Sequence, residues 1–326
     1  MSVDVLVAIF SEQPAWNIPA EAVESLRRRF PEHAFLQAGD EAAMIDLIRT
    51  AEAAFTSRLT PAAFAAAPRL RWVHSPAAGV GGMLFPAMRA SRVVLTNSRG
   101  MSAAAVAEHA LLLMLASARR FPEAVLAQAE RKWIGDDLAG LPTLRGRTLA
   151  IVGLGAIGRA LARAAAALGM TVVGTRKTTA GAPPEGVTDA FGPEGLPTVL
   201  ARADFVVLAA PLTDETRGMI DAPQLRLMRP SAWLINVARG KLVNETALVD
   251  ALRRGGIAGA ALDVFDREPL DAASPLWSLP NVLVTPHVGG FRSGYWEAAV
   301  DLFAENLGRF AKNERLRNTV DKAAGY

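Results

Sequence analysis

The chain has 326 residues, 51 % of them apolar, with 35 basic against 32 acidic side chains and a net charge of +3. That is length for two domains of roughly 150 residues each, with apolar material for two buried cores. A near-balanced charge without a basic, aromatic-interleaved run argues against a nucleic-acid partner; the lack of cysteine removes disulfides and thiolate chemistry, and four scattered histidines (His33, His74, His109, His287) give no zinc-ligand spacing, so no metal is expected.

In chain order, Val3–Phe10, Ala34–Gln37, Ala53–Thr56, Leu70–His74 and Val93–Thr96 are short apolar runs rich in β-branched or aromatic residues, and strands are expected there. The opening Met1-Ser2-Val3-Asp4-Val5 has no basic region ahead of an apolar stretch, unlike a signal peptide, so a cytoplasmic protein is expected. Helical patterns at Ala20–Phe30 and Asp40–Ala51 alternate with these strands, which argues a parallel sheet with helices on its faces. A long helix is expected from about Ser102 to Arg120. Its apolar stretch, Ala103–Ala118, is interrupted by Glu108 and His109 and so reads as a core helix, not a membrane span.

Phe121–Arg147, with Trp133, Asp136-Asp137 and Pro142, reads as an irregular excursion between domains. At Thr148 the pattern resets. Strands are expected at Thr148–Val152, Thr171–Gly174, Phe205–Ala209, Trp233–Val237, Gly259–Val264 and Val282–Thr285, with a helix at Ala156–Leu168. The Gly- and Pro-rich Thr178–Pro197 reads as a loop. Gly294–Ala311 is an amphipathic helix with Trp296, Val300, Phe303, Leu307 and Phe310 on one face.

The strongest local signal is Gly153-Leu154-Gly155-Ala156-Ile157-Gly158, placed after one expected strand and opening a helix. In that context Gly153 permits a tight turn, Gly155 lets backbone approach a pyrophosphate, and Gly158 lets helix pack on strand. The helix N-terminus, with Ala156 and Ile157 in its first turn, offers N–H groups to an anion. A dinucleotide is therefore expected here. Pro211, Thr213 and Thr216 follow the strand Phe205–Ala209, at the edge where the crevice of an open α/β sheet lies; loop capping explains the two threonines as well.

An NAD-type site places Asp or Glu at the end of the second strand to receive the ribose 2′-hydroxyl. This chain has Thr175-Arg176-Lys177 there, 22 residues and more beyond Gly153, and no acid until Glu185. Arg176 and Lys177 suit a 2′-phosphate and Thr175 adds a hydroxyl, so NADP(H) is expected in preference to NAD(H).

Three polar residues follow apolar strands in the second half: Arg239 after Leu234–Ala238, Glu268 after Ala261–Phe265, and His287 after Val282–Pro286. Parallel strands deliver their carboxyl ends to one sheet edge, so the three can converge on one cleft. Arg239 would grip a substrate carboxylate in its planar fork, His287 handle an alcohol proton, and Glu268 orient and charge the histidine. That is the equipment for hydride transfer on a small 2-hydroxy or 2-oxo acid.

These segments, Asn236-Val237-Ala238-Arg239-Gly240, Ala261–Phe265 with Glu268-Pro269-Leu270, and Thr285-Pro286-His287, resemble the D-2-hydroxyacid dehydrogenase family. So do Ala107-Glu108-His109, Pro211-Leu212-Thr213 with Thr216-Arg217-Gly218, and Ser274-Pro275-Leu276-Trp277, and the likeness covers most of the chain. The resemblance implies an α/β protein in which a Rossmann dinucleotide-binding domain, residues 101–290, is inserted in a flavodoxin-like parallel α/β substrate domain, residues 1–100 plus 291–326. It makes Arg239, Glu268 and His287 the catalytic trio and puts Val237, Ala238 and Asp263 beside the cofactor, Asp263 near the nicotinamide carboxamide. The substrate loop looks like Ser75–Val80, with backbone N–H groups around Ala78, Gly79 and Val80 holding the substrate carboxylate.

The resemblance further implies a homodimer built on the long helix and the excursion after it, with Trp133 as an interface anchor or a closing aromatic for the partner's pocket. His74 and His109 are assigned to structure, and Arg292 either meets a polar substrate tail or is exposed. Glyoxylate and hydroxypyruvate lead as substrates. Formate-oxidising relatives carry Gln where Glu268 stands, and phosphite-oxidising ones a Lys in the substrate loop, which here holds only small residues and Val80. A nucleotide-sensing, corepressor-like binding protein on the same fold is the alternative from another class.

Overall fold

The computed structural model describes residues 2–178 and 181–326. The backbone divides into two compact units: the chain up to Met101 together with Arg292–Tyr326, and the continuous segment Ser102–Phe291.

The first unit holds strands β1 (Asp4–Ala8), β2 (Ala34–Gln37), β3 (Ala53–Thr56), β4 (Trp72–Ser75) and β5 (Val94–Asn97). All pair in parallel, in the order β2-β1-β3-β4-β5, which is the flavodoxin-like arrangement. Helices α1 (Ala20–Arg29), α2 (Glu41–Leu47), α3 (Pro61–Ala65) and α4 (Pro86–Ala90) connect them. Asp40 and Thr60 start α2 and α3 by accepting the N–H groups of Ala43 and Ala63. Because side chains alternate along a strand, Leu6, Ala54, Val73 and Leu95 enter one core while Val5, Phe55 and Trp72 enter the other. The C-terminal helix, Tyr295–Ala311, returns to the second core, where Phe303 stacks on Phe55 at 4.4 Å and Trp72 at 5.0 Å.

The second unit begins with α5 (Ala103–Ala118) and α6 (Phe121–Ala129). Then come β6 (Thr148–Val152), α7 (Ala156–Ala167), β7 (Thr171–Thr175), β8 (Asp189–Phe191), α8 (Leu196–Arg202) and β9 (Phe205–Leu208). It continues through α9 (Ala222–Leu227), β10 (Trp233–Asn236), α10 (Glu245–Arg253), β11 (Gly259–Leu262) and β12 (Val282–Val284). The sheet is wholly parallel, in the order β12-β11-β10-β9-β6-β7-β8. Strand order reverses at β6, flanked by β7 and β9, the switch point where open α/β sheets bind ligands. One register row, Thr175–Val152–Leu208–Asn236–Leu262–Val284, crosses six strands. Every residue following that row leaves the sheet at the same edge.

Two segments are more regular than their composition suggests. Phe121–Arg147 opens with α6, which begins right after Arg120 (φ 48°) with a proline in its first turn. Within Thr178–Pro197, residues 179 and 180 lie outside the described residues. The remainder contains β8, which has no alternation of its own and forms by pairing with β7, Val173 opposite Asp189 and Thr175 opposite Phe191. No helix among the described residues is long and apolar enough to cross a membrane.

Candidate active site

The glycine-rich turn sits at the switch point. Gly153 has φ +105°, and a Cβ there would stand 2.6 Å from the Ala210 nitrogen, so the end of β6 packs directly on the chain leaving β9. Gly158 is likewise pressed against the Gly153 carbonyl, whereas the space beside Gly155 is open. Gly155 caps α7, so the N–H groups of the first turn, with Ala156 and Ile157, open onto that space. The turn therefore leaves open space beside the free N–H groups of a helix N-terminus, an arrangement suited to an anion.

Thr175 is buried at the end of β7. Beyond it the Arg176 guanidinium donates to the Gly181 carbonyl at 2.8 Å, and Lys177 Nζ lies 3.6 Å from Glu215 Oε2, both exposed. Thr216 donates its hydroxyl to the Pro211 carbonyl at 2.7 Å and accepts the Thr213 N–H at 2.8 Å, so it shapes the loop after β9.

Adjacent strands β10, β11 and β12 carry Arg239, Glu268 and His287. Asn236 ends β10 and folds the next turn: its carboxamide donates to the Arg239 carbonyl at 2.9 Å and accepts the Ala238 N–H at 3.1 Å. Gly240 then packs against the Phe265 backbone with no room for a Cβ. Burial lowers the Arg239 guanidinium pKa, and the charge of Glu268 opposes that shift. Glu268 accepts the Phe265 N–H at 2.9 Å on one oxygen and meets His287 Nδ1 at 2.6 Å with the other. Burial alone would raise the Glu268 pKa; bonds from His287 and Phe265, with the charges of His287 and Arg239, outweigh it and hold the carboxyl below its ordinary value. An ionised Glu268 only accepts, so Nδ1 carries the proton of that bond and Nε2 is the ring nitrogen left outside it. His287 itself is in the left-handed region, φ +55°.

Asp263 follows β11 and is 2 % exposed. Oδ1 accepts the Thr285 hydroxyl at 2.7 Å and the Val288 N–H at 2.9 Å, and Oδ2 accepts the Gly289 N–H at 2.9 Å. His109 Nε2, from α5, lies 3.3 Å from Oδ1 and 3.0 Å from the Thr285 hydroxyl. Burial pushes the Asp263 pKa up, but these four donors win and keep it lowered. Spacing along the chain singles out neither His109 nor Thr285 for this cluster, although both belong to motifs by which the family is recognised.

In the first unit, β4 and β5 end together, Ser75 opposite Asn97. Four successive carbonyls here are engaged within the unit: Ser75 by Ser98 Oγ (3.1 Å), Pro76 by Tyr295 (2.9 Å), Ala77 by the Ser98 N–H (3.1 Å) and Ala78 by Asn97 (2.6 Å). Across a trans peptide N–H points opposite to C=O, so the N–H groups of Ala78 and Gly79 are aimed away from β5. Gly79 and Val80 also border a cavity of about 260 Å³ reached by Ser57, Arg58 and Thr60.

Among the described residues there is no group of three or more side chains suited to holding a metal ion.

Residues 111–289 match the family described as D-isomer specific 2-hydroxyacid dehydrogenase, NAD binding domain. Glyoxylate reductase from Thermococcus onnurineus is 37 % identical, covering 91 % of this chain and 92 % of its own. A D-isomer specific 2-hydroxyacid dehydrogenase from Xanthobacter autotrophicus Py2, solved with NADPH and MES, superposes with a TM-score of 0.84 at 32 % identity over 100 % of both chains. An NADPH-dependent glyoxylate/hydroxypyruvate reductase from Sinorhizobium meliloti, solved with NADP and sulfate, gives 0.84 at 29 % identity over 99 % of this chain and 100 % of that one. With this sheet order, this glycine turn and these relatives, the chain belongs to the D-isomer specific 2-hydroxyacid dehydrogenase family, as an NAD(P)-dependent oxidoreductase.

Proposed function

We propose that the protein reduces glyoxylate and hydroxypyruvate with NADPH, using Arg239, Glu268 and His287 as its catalytic residues. The observation that carries this reading is the 2.6 Å His287–Glu268 bond on strand ends next to that of Arg239. The second unit is the dinucleotide-binding domain, and the first is the substrate domain.

Gly153, Gly155, Ala156, Ile157 and Gly158 would hold the pyrophosphate, and Val237, Ala238, Pro211 and Thr216 would line the rest of the cofactor. Thr175, Arg176 and Lys177 would receive the 2′-phosphate. Asp263 would stand beside the nicotinamide carboxamide while it anchors the loop that holds Thr285, Val288 and Gly289. When bound, the nicotinamide supplies the hydride that reaches the 2-carbonyl carbon.

Everything else falls to the chain. The Arg239 guanidinium binds the substrate carboxylate and fixes which carbonyl face is presented; in the substrate domain, the N–H groups of Ala78, Gly79 and Val80 are the proposed carboxylate donors. His287 Nε2 gives its proton to the carbonyl oxygen as the C–H bond forms, and takes it back in the oxidation. Glu268, ionised, stabilises the imidazolium and holds the ring by Nδ1.

A second copy of the chain would cover the apolar side chains exposed between residues 112 and 133, and a homodimer in the cytoplasm is the form proposed. The test is consumption of NADPH and NADH with glyoxylate, hydroxypyruvate, pyruvate and phenylpyruvate. The first two with NADPH should give the highest kcat/KM; a preference for NADH, or for phenylpyruvate, overturns the assignment.

A further inference from the structure

We infer that His109 and Thr285, through Asp263, form a clamp that positions the catalytic histidine. The inference rests on the reading of His287 as the proton donor.

The loop from Thr285 to Gly289 carries His287 in the left-handed backbone region, uncommon for any residue with a side chain. One buried carboxylate brackets it. Asp263 takes Thr285 on one side of His287 and the N–H groups of Val288 and Gly289 on the other, so the loop is pinned on both sides of that residue. A Cβ on Gly289 would approach Asp263 Oδ2 at 2.9 Å and the His109 ring at 3.1 Å, so the chain lies directly on the clamp. Asp263 also starts the segment that ends in Glu268, whose own oxygen holds the Phe265 N–H. Both members of the 2.6 Å bond thus hang from segments joined at Asp263.

Proton accounting gives His109 a defined part. The Thr285 hydroxyl has one hydrogen, spent on Asp263 at 2.7 Å, so toward His109 Nε2 at 3.0 Å it only accepts. Nε2 therefore carries a proton, shared between Thr285 and Asp263. His109 reaches the loop from α5, a helix packed on the sheet, and so ties the loop to the rigid part of the unit. It is a positioning residue, acting through Asp263 and Thr285.

The test uses the full-length protein with NADPH and glyoxylate. His109→Phe keeps the ring and removes the donor; His109→Gln places an amide N–H near the Nε2 position. Misplacement of a catalytic group by about 1 Å costs on the order of 10²-fold, so kcat for His109→Phe should fall about 10- to 100-fold. KM for glyoxylate should stay within about 3-fold, and His109→Gln should recover most of the loss. Thr285→Val and Thr285→Ser should behave as the same pair, and they decide the matter if His109→Phe does not fold.

The readout that needs no turnover is the downfield imidazole N–H proton resonance of the His287–Glu268 bond, identified by its absence in Glu268→Gln. It should persist in His109→Gln and Thr285→Ser and broaden or vanish in His109→Phe and Thr285→Val. An unchanged kcat and resonance in His109→Phe, or equal losses in the Phe and Gln variants, overturns the clamp. A wild type that reduces no 2-oxo acid overturns the functional reading instead, while the resonance pattern still decides the clamp by itself.

Discussion

His74 and His287 share a side chain and little else. His74 is fully buried in the first unit, and burial brings its pKa down from 6.5 to about 3. Its neutral ring completes a relay: Trp72 Nε1 donates to the Thr96 hydroxyl at 2.8 Å, Thr96 meets His74 Nδ1 at 2.7 Å, and Nε2 faces Ser98 Oγ, which donates to the Ser75 carbonyl. A folded-state pKa below the unfolded one means that the unfolded chain binds the proton more readily. Stability linked to His74 is thus complete above about 6.5 and lost as pH falls toward about 3, at up to about 1.4 kcal/mol per pH unit. Urea unfolding of wild type and His74→Gln at about pH 7 and about pH 4.5 should show a shallower acid loss in the variant; parallel losses refute the linkage. His287, by contrast, is partly exposed and paired with a carboxylate held ionised. His287→Ala should lower kcat by at least ~10² with little change in NADPH affinity, and near wild-type turnover removes it from the mechanism. Glu268→Gln keeps the shape and removes the charge paired with His287, so kcat should fall by about 10-fold or more, and wild-type turnover would take the carboxylate out of the mechanism.

At the scale of elements, the turn leaving β7 offers the sharpest experiment. No acid stands there, and Arg176 already spends part of its fork on the Gly181 carbonyl. Arg176→Ala should reduce the NADPH-over-NADH ratio of kcat/KM by about 10-fold, the scale of one charge-assisted contact. An unaltered ratio leaves Arg176 without that role. Apart from β8, which exists only by pairing with β7, the strands of both sheets were readable because buried parallel strands are short continuous apolar runs, and the glycine turn because it lies between a strand and a helix. The placement of Arg239, Glu268 and His287 past adjacent strands of one sheet was readable for the same reason, each standing just past an apolar run. The short α9 escaped notice although Asp221 and Gln224 form a capping box, since six residues give no helical period. The clamp was illegible for another reason: His109, Asp263 and Thr285 sit on three elements, and only the fold makes them neighbours.

For the whole molecule, association is the property most open to test. Leu112, Leu115, Phe121, Val125 and Leu126 are exposed, and Trp133 is 98 % exposed, all within two dozen residues. Isolated exposed apolar side chains are ordinary, but this concentration suits a surface covered by a second copy. Leu126→Asp together with Trp133→Asp should convert a dimer to a monomer in light scattering, and an unchanged mass moves the interface elsewhere. A quite different use follows from the parallel sheet of the second unit. All seven strands point their carboxyl ends one way, so the turns entering them lie at the opposite edge and carry none of the proposed catalytic residues. Arg254, exposed between α10 and β11, is at that edge. Since the chain has no cysteine, Arg254→Cys creates a single thiol to which a dye or a solid support can be attached while the chemistry proceeds undisturbed.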